Sequence, residues 1–248
     1  PIQSLHGLDD GLRSFAQRGQ AYRSRYLQSA YGVAFDGYSY PGQADSLNQG
    51  PEDKLHSFVF SDFSPTERWP AELQPYCRLH WPAITKLVGE LELGILFALG
   101  LEGIAAQFRA NFGHMMSANY YPPVSPGPER EGLRLTEHPD VSLMTVFPFG
   151  MTPDFQYQDP FGDWRDAPAC DTVAVFPGDL MQWMTDGEIT ALNHRVRHSS
   201  ASVRERFSFA LFSLPHPGRE LCSNAGGCLS TEEWYARHLS QWDHPEAE

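Results

Sequence analysis

The 248-residue sequence has no apolar run of the length that a transmembrane helix requires. Such a helix needs about 18 or more consecutive apolar residues. The longest apolar stretch, LELGILFALGL, is interrupted by glutamate and glycine. The N-terminus also lacks a basic segment followed by an apolar one, so no secretory signal is expected. Because the chain begins with Pro1, we expect that an upstream segment is missing.

Basic residues are scarce: 18 Lys and Arg stand against 31 Asp and Glu, which gives a net charge of -13. A nucleic-acid backbone or an anionic membrane surface would repel such a chain. Cysteines are also few, and the four at positions 77, 170, 222 and 228 form neither a CxxC pair nor a zinc pattern. We expect free thiols in a reducing cytoplasm, with a Cys222–Cys228 bridge as the alternative.

The chain contains a helical first part and a strand-rich second part, without a convincing linker between them. We predict one domain over residues 1–248: a helical part over about 1–111, a β core over about 112–216 and a C-terminal helix over about 230–242. The stretch WPAITKLVGELELGILFALGLE predicts a long buried helix. After residue 112, short β-branched and aromatic runs separated by turns favour a mainly β barrel or sandwich with packed helices.

A histidine and an aspartate lie two positions apart in the apolar run RLTEHPDVSLMTVF. Strand neighbours at i and i+2 share a face, so His138 and Asp140 should point the same way, together with Met144 and Val146. A buried carboxylate without a partner is costly, and a metal ion would remove that cost. Two histidines and one carboxylate on one face form the metal site of non-haem Fe(II) enzymes.

The third ligand of such a site should lie on a later strand. Four histidines follow Asp140: His194, His198, His216 and His238. His194 is the best candidate because it opens the strand HRVRH. His198 lies in a polar segment, and His216 is flanked by prolines.

Arg206 and Ser208 in RERFSFALF are again two positions apart on an apolar strand. A guanidinium can bind a carboxylate through two hydrogen bonds, and a hydroxyl can add another. Arg204 is a rival anchor, but only Arg206 has a serine two residues later. In NYYPP, Asn119 and Tyr121 lie on one face of the strand and Tyr120 lies on the other. The amide of Asn119 and the phenol of Tyr121 offer polar groups to a ligand.

The segments NYYPP, HPDVSLMTVF, TVAVFPGDLMQWMTDGE…NHRV and RFSFALF, in this order, resemble the isopenicillin N synthase-like family of Fe(II)/2-oxoglutarate-dependent oxygenases. The resemblance covers about residues 76–240, and the FPGDLMQWMTDGE…RERF block is similar to bacterial members, including ethylene-forming enzymes. It implies a double-stranded β-helix, or jelly-roll, core. It also implies Fe(II) on His138, Asp140 and His194, and 2-oxoglutarate with its distal carboxylate on Arg206 and Ser208. Tyr121 would support that carboxylate, and Asn119 would lie near the metal-bound end.

The resemblance implies a dioxygenase that uses O₂ to hydroxylate, desaturate or cyclise a small molecule, as in specialised metabolism. We expect it to be cytoplasmic and monomeric. Met144 and Phe212 should line the substrate pocket, and Arg134, in phase with His138, could bind an anionic substrate. Two alternatives remain open. One is an Fe(II) oxidase of the same fold that binds its substrate's own carboxylate in place of 2-oxoglutarate, and the other is a non-catalytic jelly-roll binding protein.

Overall fold

A computed structural model describes residues 7–28, 35–41, 55–123, 133–151, 154–167, 172–197 and 204–239. Helices dominate the first of these ranges and strands the later ones. The helices are α1 (Leu8–Ala16), α2 (Gln20–Arg23), α3 (Gln74–Leu79), α4 (Trp81–Ala98), α5 (Glu102–Asn111), α6 (Asp179–Met184) and α7 (Thr231–Leu239). The strands are β1 (Gly37–Ser39), β2 (His56–Ser61), β3 (Phe112–Tyr121), β4 (Leu133–His138), β5 (Met144–Phe147), β6 (Phe155–Gln158), β7 (Trp164–Asp166), β8 (Ala174–Pro177), β9 (His194–Arg197), β10 (Arg206–Pro215), β11 (Glu220–Cys222) and β12 (Cys228–Ser230).

Ten of these strands form two antiparallel sheets. The larger sheet has the order β1-β2-β3-β10-β5-β8, and the smaller has the order β4-β9-β6-β7. The chain changes from one sheet to the other six times: between β3 and β4, β4 and β5, β5 and β6, β7 and β8, β8 and β9, and β9 and β10. The predicted class, mainly β with packed helices, is confirmed, and solved structures with this fold are described below with the site.

Two ten-residue strands, β3 and β10, form the centre of the larger sheet. They pair along their whole length, with Arg206 opposite Tyr121 and Pro215 opposite Phe112. Every residue of β3 after Phe112 is buried, which fits an apolar strand that is covered on both faces. One face packs on α1, α3 and α4 through an aromatic and aliphatic cluster around Phe58, Phe60 and Met116. The other face lines the space between the two sheets.

Helix α4 differs from its prediction as a fully buried element. One face buries Trp81, Ile84, Val88 and Leu96, whereas Leu87, Leu91 and Phe97 on the opposite side are exposed. The sequence does not distinguish the buried face of this helix from the exposed face, because both faces carry leucine. No helix within the described ranges has the length and hydropathy to cross a bilayer.

Two further expectations concern the C-terminal region. The expected C-terminal helix is α7, and it begins with a capping box: the amide of Glu233 donates to Oγ of Ser230, and the amide of Ser230 donates to the Glu233 carboxylate. The expectation of free thiols is wrong for Cys222 and Cys228, which form a disulfide between β11 and β12. Cys77 is a free, buried thiol, and Cys170 lies outside the described residues.

Candidate active site

His138, Asp140 and His194 meet between the two sheets. His138 ends β4 and His194 begins β9, and the two residues are directly paired across these strands. Asp140 follows two residues after β4. Their potential ligand atoms all lie within 4.8 Å of one another. Nε2 of His138 and Nε2 of His194 are 3.7 and 3.8 Å from Oδ1 of Asp140, which is beyond hydrogen-bond distance.

The other ring nitrogen of each histidine is held by the backbone. Nδ1 of His138 lies 2.7 Å from the carbonyl of Thr136, and Nδ1 of His194 lies 3.2 Å from the carbonyl of Leu192. A carbonyl only accepts, so each Nδ1 carries the proton and each Nε2 keeps its lone pair. Such a partner fixes the tautomer of a metal-binding histidine.

Burial keeps His194 neutral. Its ring stacks on Phe155 at 5.0 Å between centroids and also contacts Phe176. Loss of hydration lowers the pKa of His194 to about 4, even though the nearby charge of Asp140 acts in the opposite direction. A neutral imidazole with a free Nε2 is the form that binds a metal ion.

The carboxylate of Asp140 is held by a residue that the sequence did not reveal. Oγ1 of Thr145, a fully buried side chain, donates to Oδ2 of Asp140 over 2.6 Å. The hydroxyl of Ser142 lies 3.0 Å from the same Oγ1. Asp140 therefore presents Oδ1 to the two imidazoles while Oδ2 is occupied. This donor set fits a divalent metal of the kind held by two histidines and a carboxylate.

Gly178 supports the backbone of the same loop. A Cβ at this position would lie 2.6 Å from the carbonyl oxygen of Asp140 and 2.3 Å from that of Ser142. The next amide, that of Asp179, donates to the Asp140 carbonyl over 2.7 Å. Only glycine permits this approach. The local sequence FPGD gives no sign of this contact with Asp140.

The predicted anion-binding residues lie together on β3 and β10. Cross-strand pairing places Arg206 opposite Tyr121 and Ser208 opposite Asn119, so all four share the inward face. The Arg206 guanidinium lies 4.6 Å from the centroid of the Tyr121 ring. Its Nε and Nη1 are buried and have no hydrogen-bond partner among the described residues. The rival Arg204 is exposed.

A cavity opens beside the triad. His138, Pro139 and Asp140 form one wall, and Phe212 lies on another. The remaining lining is apolar apart from two serines: Phe35, Val59, Met115, Ser117, Val141, Ser142 and Leu214.

The expectation that Met144 and Val146 share the face of His138 and Asp140 is wrong. Val146 pairs with Leu211, which lies on the opposite face of β10 from Phe212. Thr145, between the two, pairs with Phe212 and bonds Asp140. The reason is a bend over residues 141–143, which separates β4 from β5 and resets the alternation.

The remaining candidates lie outside the triad of His138, Asp140 and His194. Arg134 is buried beside Tyr121, its guanidinium 5.1 Å from the ring centroid. His216 packs on Phe63, and Nδ1 of His238 lies 3.0 Å from the carbonyl of Trp234. His198 lies outside the described residues.

Comparison with known proteins identifies the family. Residues 112–215 match the family described as the 2OG-Fe(II) oxygenase superfamily. Isopenicillin N synthase of Streptomyces clavuligerus is 30% identical over 58% of this chain and 47% of its own length. Validamycin A dioxygenase of Streptomyces hygroscopicus subsp. limoneus is 31% identical over 73% of this chain and 53% of its own length. The chain thus spans about half the length of these curated relatives.

Solved structures agree on the fold. A Neurospora crassa protein solved in complex with alpha-KG and thymine superposes with a TM-score of 0.73 at 18% identity, over 97% of this chain and 84% of that chain. A 2OG-Fe(II) oxygenase family protein from Caulobacter crescentus gives a TM-score of 0.72 at 18% identity, over 94% and 84%. The family and the double-stranded β-helix core predicted from the sequence are confirmed. Residues 112–215 match the 2OG-Fe(II) oxygenase superfamily, which is named for its cofactors Fe(II) and 2-oxoglutarate.

Proposed function

We propose that this chain is an Fe(II)/2-oxoglutarate-dependent oxygenase that oxidises a small molecule. The observation that carries the proposal is the convergence of the two Nε2 atoms on Oδ1 of Asp140, with every other polar atom of the three side chains already bonded. Three ligands on one face of a metal leave the opposite face for a co-substrate and O₂.

His138, Asp140 and His194 would hold the metal. Bound iron with 2-oxoglutarate would supply the oxidising chemistry, with succinate and CO₂ as the products of the co-substrate. The protein's part is to fix the ligands. The carbonyls of Thr136 and Leu192 orient the two imidazoles, and Thr145 orients the carboxylate.

The anion site on β3 and β10 would hold 2-oxoglutarate. Arg206 offers buried N–H groups without partners among the described residues, and a carboxylate can accept two of them at once. Ser208 lies two residues further along the same face and would add a hydroxyl donor. Tyr121 would support the same carboxylate. Asn119, whose Oδ1 accepts from Ser117, would direct its amide N–H groups towards the metal-bound end.

The cavity beside His138 and Asp140 would receive the substrate. Its walls are mainly aromatic and aliphatic, and the charged groups among its described lining belong to the candidate metal ligands. The part of the substrate that is oxidised would therefore be uncharged and largely apolar, in contact with Phe212. Hydroxylation, desaturation and ring closure all start from such a C–H group. Relatives named for isopenicillin N synthesis and validamycin A favour a substrate of specialised metabolism. We also propose that the protein is a monomer in the cytoplasm and has no nucleic-acid partner.

Succinate formation tests the proposed function. Purified protein supplied with Fe(II), 2-oxoglutarate and pools of small molecules should form succinate, with faster formation in pools that contain a substrate. O₂ consumption without succinate would favour the Fe(II) oxidase that uses no 2-oxoglutarate. His138→Ala and His194→Ala should lose bound iron, while His80→Ala, a half-buried histidine outside the site, should keep it. Full iron retention in both site variants would contradict the assignment.

A further inference from the structure

An irregularity in β4 redirects Arg134. Leu133 pairs with Arg197 and Leu135 pairs with Val196, so two steps along β4 correspond to one step along β9. Arg134 is the additional residue. Such bulges turn a side chain away from the regular alternation and are frequent beside active sites. Arg134 is only 3% exposed, whereas Arg197, opposite Leu133 on β9, is partly exposed.

The guanidinium of Arg134 meets Arg206 at one phenol. It lies 5.1 Å from the centroid of Tyr121, and the guanidinium of Arg206 lies 4.6 Å from the same centroid. The two arginines come from different sheets. Arg134 also donates from Nη2 to the carbonyl of Pro122 over 3.1 Å. The interior therefore holds two guanidinium groups against a single neutral ring.

Among the described residues, the charges around this pair are not balanced. Burial lowers the pKa of Arg134, and the positive charge of Arg206 acts in the same direction, whereas Tyr121 and Asp154 act against it without offsetting it. Nε and Nη1 of Arg206 lack partners among the described residues. Burying positive charge without an anion is costly, so a bound anion would stabilise the arrangement.

The position of the pair separates it from the substrate cavity. Met115 and Ser117 line that cavity, while Tyr121 lies four residues beyond Ser117 on the same strand face, about 14 Å further along the strand. Neither arginine contributes to the described cavity lining. The anion that the two arginines share would therefore be the far end of a co-substrate that extends away from the metal.

We propose that Arg134 and Arg206 jointly bind the distal carboxylate of 2-oxoglutarate, and that Arg134 is a co-substrate residue instead of the substrate contact that the sequence indicates. This inference rests on the proposed function. Arg206 and Ser208 approach the carboxylate from the large sheet, and Arg134 approaches it from the small sheet.

Binding of two 2-oxo acids to the Mn(II)-loaded protein tests this inference. 2-Oxoglutarate and 2-oxovalerate differ in that a methyl group replaces the distal carboxylate, and calorimetry gives the dissociation constant of each. Arg134→Met should raise the constant for 2-oxoglutarate about tenfold to a hundredfold, which corresponds to loss of one charge-assisted contact. The constant for 2-oxovalerate should stay within about twofold. Arg197→Met, which removes an exposed guanidinium paired with Asp166, should change neither.

The outcomes separate the two proposals. Wild-type protein that binds 2-oxoglutarate no more tightly than 2-oxovalerate would contradict the proposed function itself. Wild-type discrimination that persists unchanged in Arg134→Met would overturn only the role of Arg134. Equal weakening of both ligands would also overturn it, because packing on Tyr121 alone would then explain the residue. Should Arg134→Met fail to fold, Arg134→Lys keeps the charge but loses the planar fork, and it must weaken 2-oxoglutarate selectively.

Discussion

Thr145 offers a sharp test of how the site is supported. Thr145→Val keeps the shape of the side chain and removes the hydroxyl that donates to Oδ2 of Asp140 over 2.6 Å. Asp140 is 8% exposed, so water would replace this donor poorly. Loss of an outer hydrogen bond to a metal ligand costs about tenfold to a hundredfold in metal affinity, or about 1.4 to 2.8 kcal/mol. We expect this loss for Mn(II), and Thr145→Ser should restore most of it.

Thr145→Val should also lower the free energy of unfolding of the metal-free protein by about 1 to 3 kcal/mol, because a buried carboxylate loses its donor. Thr85→Val is the matched control. Thr85 is buried in α4, and its hydroxyl donates to the carbonyl of Trp81. It should lower stability by about 1 kcal/mol and leave metal affinity unchanged.

The assay is a Mn(II) titration followed by the signal of free Mn(II) in electron paramagnetic resonance, with denaturant unfolding on the same samples. If Thr145→Val bound Mn(II) within about twofold of wild type, less than about half a kcal/mol, while remaining folded, the orienting role of Thr145 would be refuted. A fall in metal affinity for Thr85→Val as large as that for Thr145→Val would show that general destabilisation causes both.

Three further outcomes are expected. Arg206→Ala should weaken 2-oxoglutarate binding by roughly 2 to 5 kcal/mol, since it removes a buried charged partner, whereas Arg204→Ala, at an exposed position, should have little effect in the same calorimetric measurement; the reverse result would mean that the register is wrong by two residues. Gly178→Ala should abolish stable metal binding, because the added Cβ would lie 2.6 and 2.3 Å from the carbonyl oxygens of Asp140 and Ser142, and wild-type affinity in an equilibrium titration would contradict this. Burial lowers the pKa of His194 to about 4, so the unfolded chain binds a proton that the folded protein excludes between about pH 6.5 and 4, and the contribution of His194 to stability falls as pH falls through that window. Because protons and metal compete for Nε2 of His194, bound Mn(II) should be lost as the pH falls towards about 4, and the midpoint should move down as excess Mn(II) is added. A midpoint independent of metal concentration would indicate acid unfolding instead.

The parts of the site that follow from residue alternation could be predicted from the sequence. Strands β3 and β10 are long and regular. The period of two therefore placed Asn119 and Tyr121 on one face of β3, and Arg206 and Ser208 on one face of β10. Their pairing in the structure puts the two faces together. The choice of Arg206 over Arg204 also depended on this period, and the exposure of Arg204 agrees with it. Regular strands preserve the side-chain phase over many residues.

The parts that depend on a break in a strand could not be predicted. Met144 and Val146 were placed with His138 by extending one alternation through Asp140, and the bend over residues 141–143 shifts that phase. The bend is held by contacts with α6, where the Leu180 amide donates to the Ser142 carbonyl. A contact with a segment nearly forty residues away leaves no local signal. The same holds for β1 and β2, whose addition to the large sheet requires β3 as a template.

Two irregularities lie beside the site. The bend after Asp140 brings the hydroxyl of Thr145 to the carboxylate, where an alternation continued through Asp140 would have placed an apolar methionine. The bulge in β4 lies at Arg134, which is buried beside Tyr121. Irregular backbone is thus one means by which a sheet of alternating residues supplies a polar partner at a chosen point. Under the proposed function, Thr145 and Arg134 would determine how firmly the patterned residues hold metal and co-substrate, although neither belongs to the HxD…H or RxS pattern.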